Sequence, residues 1–259
     1  MVPFIQNWRG FLTLIRREVV RTRRVIGQAL IAPLVTASLY IFVFGYVIGS
    51  KIALIQGIPY ISFVFPGVFA MNLILAVFGA TSFSTFFMKF QKTFEDLLTL
   101  PLSYTELVLS LIMGGIIRGL AITCALSLVA VLFGVNTLAH PIILLGYVLL
   151  VSTFFGLLGV VMGVWADNSF EKLGLVTNFI LTPLTFLGGA FYSVHMLPAN
   201  LQWLVHANPI FYAVDGIRYS LTGYHEAPLL LGVGILTALA LAALAALVFI
   251  FRTGWKLRS

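Results

Sequence analysis

Five stretches of this chain, 25–50, 52–88, 119–166, 173–214 and 227–251, contain no aspartate, glutamate, lysine or arginine. Each exceeds the roughly 18 apolar residues that mark a membrane-crossing helix, and three are long enough for more than one element. Hydrocarbon offers no water to backbone N–H and C=O groups, so such runs must satisfy themselves as helices. Charged residues make up 9% of the 259 and hydrophobic residues 61%, with a mean hydropathy of +1.08. A soluble domain carries charge on about a quarter of its residues, so this one could not coat an aqueous surface. The expected fold is an all-α, polytopic membrane protein in one domain over 1–259. Soluble enzymes, nucleic-acid binders and secreted disulfide scaffolds are excluded together.

Turn signals divide the runs into six expected spans, 28–48, 60–88, 107–133, 142–165, 173–191 and 229–251. Gly57-Ile58-Pro59 opens the second, and the stretch from Gly134 to Pro141 separates the third from the fourth. Twelve of the fifteen lysines and arginines fall on one side of this arrangement, including Arg9, Arg16, Arg17, Arg21, Arg23 and Arg24 before the first span. By the positive-inside rule that side, with both termini, is cytoplasmic. The net charge of +7 is therefore an orientation signal and implies no nucleic-acid partner. The amino-terminal segment does not read as a cleavable leader, because its uncharged stretch is about twice the usual 7–15 residues. Gly156, Gly159 and Gly163, and Gly114, Gly115 and Gly119, are small residues suited to close helix contacts.

Three segments are not spans. Residues 4–24 read as an amphipathic helix, with Phe4, Ile5, Trp8, Phe11, Leu12, Ile15 and Val19 at helical spacing and arginines between them. Such a helix lies at the lipid interface, its arginines among anionic headgroups. In the cytoplasmic segment 90–105, Thr93 is expected to cap a short helix that carries Glu95 and Asp96 in its first turn. Phe94, Leu97, Leu98 and Leu100 form an apolar surface there, better matched to a partner than to water, and Pro101 ends the helix. The connection 192–228 is too apolar for an ordinary loop. Asn208-Pro209 is a helix start and Gly223 a stop, and Pro198 is a second candidate start. Two short helices over 196–223 that dip partway into the outer leaflet fit better than a seventh span, with Asp215 and Arg218 able to pair at i, i+3.

Chemistry of the common kinds is missing from the sequence. None of the five lysines stands in a Gly-x-x-x-x-Gly-Lys-[Ser/Thr] context, and neither His-Glu-x-x-His nor Gly-x-Ser-x-Gly occurs. No catalytic residue, cofactor or metal site is assigned. The four histidines are scattered, and Cys124 reads as a small buried side chain. No acidic residue lies inside a span; Arg118 alone is ionisable there, at a cost of about 2.5–3.5 kcal/mol near a helix centre. A structural tether and a substrate contact are equal readings of it. A pump with neither a nucleotide loop nor a proton relay needs its energy from elsewhere.

Several blocks carry a resemblance: Phe65-Pro66-Gly67, the run 89–98, the run 114–119 with its Gly-Gly pair and Arg118, the run 181–193, Asn208 to Tyr212, and Gly216-Ile217-Arg218-Tyr219. Over nearly its whole length the chain resembles the permease subunits of type-2 ABC exporters, the drug, polysaccharide and nodulation-factor branch, and most of all the YadH-like permeases of bacterial inner membranes. The resemblance implies a permease that dimerises and binds two copies of a separate ABC ATPase. It implies ATPase-facing residues Phe90, Thr93, Phe94, Glu95, Asp96, Leu97 and Leu98, together with the amino-terminal helix. Spans two and five would line a route between protomers, with Asn72, Thr81, Ser82 and Ser84 on one and Thr177, Asn178, Thr182 and Phe186 on the other. Asn208, Pro209, Asp215 and Arg218 would belong to outer helices closing that route. The rival readings are an ion-coupled secondary transporter and a membrane-embedded enzyme or scaffold.

Overall fold

The uncharged run 52–88 becomes the central helix of the bundle, α2 (Tyr60–Phe90), buried along most of its length. A computed structural model describes residues 8–49, 54–55, 57–135, 138–166 and 169–256. Phe4, Ile5, Lys51 and Arg258 lie outside them, as does the side chain of Glu95. Ahead of α2 stand α1 (Trp8–Tyr40), which continues as π-helical turns over Ile41–Ile48, and a small hairpin pairing β1 (Leu54–Ile55) with β2 (Ile58–Pro59). Gly57 takes φ 80° at its tip, a conformation that glycine reaches without a Cβ clash. After α2 come α3 (Thr93–Leu98), α4 (Tyr104–Leu132) and α5 (Pro141–Trp165). Then follow α6 (Glu171–Leu175), π-helical turns over Val176–Leu181 and α7 (Thr182–Leu187). The chain closes with a single 3-10 turn (Val194–Met196), α8 (Gln202–His206), α9 (Pro209–Thr222) and α10 (Leu229–Thr253).

Among the described residues five helices are long and apolar enough to cross a membrane: 8–45, α2, α4, α5 and α10. The expected fifth span takes a different form. Its helical run, 171–187, is divided into α6, π-helical turns and α7, and at roughly 17 residues it stands at the lower limit for a crossing. Pro183 explains the break. It has no N–H for the carbonyl of Phe179, so the preceding turn widens to π geometry, and Thr182 Oγ1 donates to the Thr177 carbonyl at 2.9 Å.

Small residues set the packing. A Cβ added to Gly159 would overlap Thr81 Oγ1, and one on Gly163 would stand 2.6 Å from Thr85 Cβ, so α5 lies against α2 with no room for side chains there. The same holds where Gly119 of α4 meets Ser152 of α5, and where Gly67, just after Pro66, passes beneath the backbone of Ala190. Helix α4 starts at a capping box: Ser103 Oγ accepts from the Glu106 N–H at 3.3 Å, while Glu106 Oε2 accepts from the Ser103 N–H at 2.8 Å.

Two expectations change here. The amino-terminal segment runs into the first span as one helix, and the stripe it buries is Leu14, Glu18 and Thr22, which packs on α4 beside Gly114. Glu18 lies between Arg17, at 3.3 Å, and Arg21. Of the expected apolar face Trp8 and Leu12 stay exposed and Phe11, Ile15 and Val19 are half-buried, because the bundle takes the neighbouring stripe. Cys124 is exposed rather than buried, on a face of α4 that no other helix covers.

Candidate coupling and translocation sites

Helix α3 is two-sided. Phe94 and Leu97 point into the bundle, 1% and 6% exposed, and the Phe94 ring lies 5.6 Å from that of Phe251 at the end of α10. Of the expected apolar docking surface, Phe94 and Leu97 therefore serve as an internal anchor. Two apolar side chains three residues apart on a six-residue helix suffice to bind it to the bundle, and burying them satisfies them without a partner. Leu98 is half-buried. What remains outward is Phe90, 66% exposed, with Gln91, Lys92, Thr93, Asp96, Thr99 and Leu100. Thr93 is the first helical residue and not the cap: Lys92 precedes the helix with φ 58°, and Thr93 Oγ1 donates back to the Met88 carbonyl at 3.1 Å. Phe170, from the link after α5, packs edge-on against Phe83 at 5.7 Å and also against Phe86, so both turns sit at one end of α2.

The polar residues suggested for a pathway are not brought together. Asn72, Thr81, Ser82 and Ser84 are buried inside the protomer. Asn72 Nδ2 donates to the Val68 carbonyl at 2.9 Å and Thr81 Oγ1 to that of Val77 at 3.1 Å, so both are satisfied on their own helix. Along 171–187, Asn178 and Phe186 are exposed and Thr177 and Thr182 half-exposed, beside uncovered Leu175, Phe179 and Ile180. Between this run and α5 lies a cleft of about 340 Å³ lined by Phe78, Phe155, Met162, Ile180 and Leu184 among other apolar groups.

At the opposite end α9 closes the bundle. Asn208 caps it as expected: Oδ1 accepts from the Ile210 N–H at 3.0 Å, Nδ2 donates to the Leu184 carbonyl at 2.6 Å, and Pro209 follows. Gly223 ends it in the left-handed region, φ 78°. The second short helix starts at Gln202, later than Pro198. The expected Asp215–Arg218 ion pair is not formed. Each group is drawn to another partner by the chain folding over α9. Asp215 accepts from the N–H groups of Glu226 and Ala227 at 2.8 and 3.0 Å. Arg218, wholly buried, donates to the Gly189 carbonyl at 2.5 Å and stands 4.0 Å over the Phe63 ring. Glu226, which sequence reasoning passed over, accepts from the Val194 N–H at 3.1 Å and ties the 3-10 turn to this knot. Burial raises the Asp215 carboxyl above its usual range, opposed by those two N–H bonds. Gly216 lies against Tyr147 so closely that a Cβ would fall inside the ring.

Arg118 lines a second cavity, about 490 Å³, between α1, α2 and α4, with Arg21, Ser84 and Phe87. Among the described residues no three His, Cys, Asp or Glu side chains gather as a metal site.

A closely packed helical membrane domain, with a helix anchored at one end and a capped opposite end, has the form of a transporter permease. The chain belongs to the ABC-2 type transporter family, whose model matches residues 9–222. It is similar to the inner membrane transport permease YadH of Escherichia coli (strain K12) and of Shigella flexneri, each 35% identical over 236 residues that cover 91% of this chain and 91% of the relative. Nodulation protein J of Rhizobium meliloti (strain 1021) is 24% identical over 218 residues, 84% of this chain and 82% of that protein. The chain is thus a multi-pass membrane permease of an ABC transporter.

Proposed function

We propose that this permease is the membrane subunit of an ATP-driven exporter in a bacterial inner membrane, with both termini cytoplasmic. It works as a pair of identical copies driven by two copies of a separate ABC ATPase. The observation that carries the reading is the two-sided segment 90–98 with α3 at its end: Phe94 and Leu97 fix α3 to α2 and α10, while Phe90, Lys92, Thr93 and Asp96 present an exposed face. An ATPase docked on that face moves the helix as a lever, and Phe94 carries the displacement to Phe251. The absence of a phosphate loop in the sequence leaves nucleotide chemistry to the partner. Six crossings follow if the run 171–187, uncovered in a single protomer, is completed by the second copy. Thr177, Asn178, Thr182 and Phe186 then face the seam. Asn72, Thr81, Ser82 and Ser84 reach it only if α2 turns. Export requires that the two states of this seam differ in affinity for the cargo, since a ligand equal in both biases nothing.

The double change Phe90→Asp, Asp96→Lys should abolish co-purification with the ATPase and leave the thermal unfolding of the permease unchanged. Phe94→Asp should lower both. Undiminished co-purification of the double variant would overturn the docking face. Uphill transport by the permease alone would overturn the whole reading.

A further inference from the structure

The cavity between α1, α2 and α4 holds two polar groups that the protein leaves unmatched. Arg118 Nε and Ser84 Oγ are both buried without a hydrogen-bond partner, and both residues line it. Arg21 lines it too, close enough that its charge acts on Arg118. The carboxylate nearby, Glu18, is already shared by Arg17 and Arg21, and among the described residues no acidic group pairs with Arg118. The site therefore has a surplus of positive charge at membrane depth, where an uncompensated arginine is costly. The rest of its wall is largely apolar. Phe83 and Phe87, 49% and 44% exposed and stacked at 5.6 Å, carry it out to the surface of the bundle.

We infer that this cavity binds a phosphate-bearing anionic amphiphile, taken from the leaflet on the side of Arg21. The guanidinium groups of Arg118 and Arg21 hold the phosphate oxygens, and the Ser84 hydroxyl donates to one of them. Its apolar tail leaves along Phe83 and Phe87. Arginine suits this work because its planar donor fork matches phosphate geometry. Gly114 and Gly115 form its floor: a Cβ on Gly114 would stand 3.2 Å from both Glu18 Oε2 and Thr22 Oγ1, and one on Gly115 2.6 Å from Thr81 Cγ2, so the two glycines let α4 close on α1 and α2 beneath the cavity. This site shares Thr81 and Ser84 with the residues that would reach the seam if α2 turned, but it is formed within one protomer, so its test does not depend on the seam or the docking face.

The test is native mass spectrometry of the full chain, delipidated in detergent and titrated separately with dioleoyl phosphatidylglycerol, dioleoyl phosphatidylcholine and inorganic phosphate. One phosphatidylglycerol adduct should form at least tenfold more tightly than the phosphatidylcholine adduct, and inorganic phosphate at the same concentration should not displace it. Arg118→Gln should weaken the adduct tenfold or more and Arg118→Lys by less, while Arg23→Gln, an equal loss of charge on an exposed position, should leave it intact. Should Arg118→Gln fail to fold, Ser84→Leu fills the cavity without changing charge and must also lose the adduct. Equal binding of the two lipids, or an adduct untouched by both cavity variants, overturns the inference. Displacement by inorganic phosphate overturns the lipid as its source and leaves a bare anion site.

Discussion

Helix α9 and the run 171–187 lie some twenty residues apart, at the two ends of the uncharged stretch 173–214, yet the fold treats them in opposite ways. Helix α9 is buried on nearly every side and tied down by Asn208, Asp215 and Arg218, each bonded to a different part of the chain. The run 171–187 is π-wound and proline-broken, with most of its apolar side chains uncovered. The difference teaches where a membrane protein places its rigidity. Hydropathy decides only that a segment leaves water. Polar anchors and close glycine contacts decide whether it is locked to its own protomer or left for another surface.

Arg218→Met attacks the locked side hardest. It leaves the Gly189 carbonyl buried and unpaired and removes the cation from the Phe63 face. Thermal unfolding in detergent should show a loss of about 3 kcal/mol. Gly216→Ala should follow at about 2 kcal/mol, because Tyr147 must move to admit a methyl group. On the open side, Phe179→Ser should change the stability of the protomer by less than about 0.5 kcal/mol. Its effect should be seen in oligomeric state, with a shift from dimer to monomer in size-exclusion light scattering. A large loss of protomer stability there would erase the contrast. The smallest effect is a pH slope. Burial lets the folded protein hold the Asp215 proton to higher pH than the unfolded chain, whose carboxyl ionises near its ordinary 3.8. Stability from this group is therefore full below about pH 4 and declines as pH rises through the folded value. Asp215→Asn should flatten that decline in unfolding scans from pH 4 to 8.

Features that rest on local chemistry were legible in the sequence. The apolar runs mark α2, α4, α5 and α10, and Asn208-Pro209 and Gly223 bound α9. The Ser-x-x-Glu signature at Ser103 and Glu106 was equally readable as a capping box and went unused. What stayed hidden depends on rotation and on distant partners. Phe94 and Leu97 sit on a helix too short for periodicity to tell an outward face from an inward one. The i, i+3 spacing of Asp215 and Arg218 suggests a pair, but cannot reveal that Glu226, Ala227 and Gly189 compete for both groups. Likewise, an apolar stripe on the first helix does not disclose that the bundle takes the strip holding Glu18 instead.

The crossing of Gly67 beneath Ala190, with Arg218 holding the neighbouring Gly189 carbonyl, has a mechanical meaning. Two backbones in contact, one of them pinned, cannot glide past each other. Any parting of the run 171–187 from the central helix would turn about that fulcrum, and would have to break the packing of Phe170 and Leu173 on Phe86 at the other end.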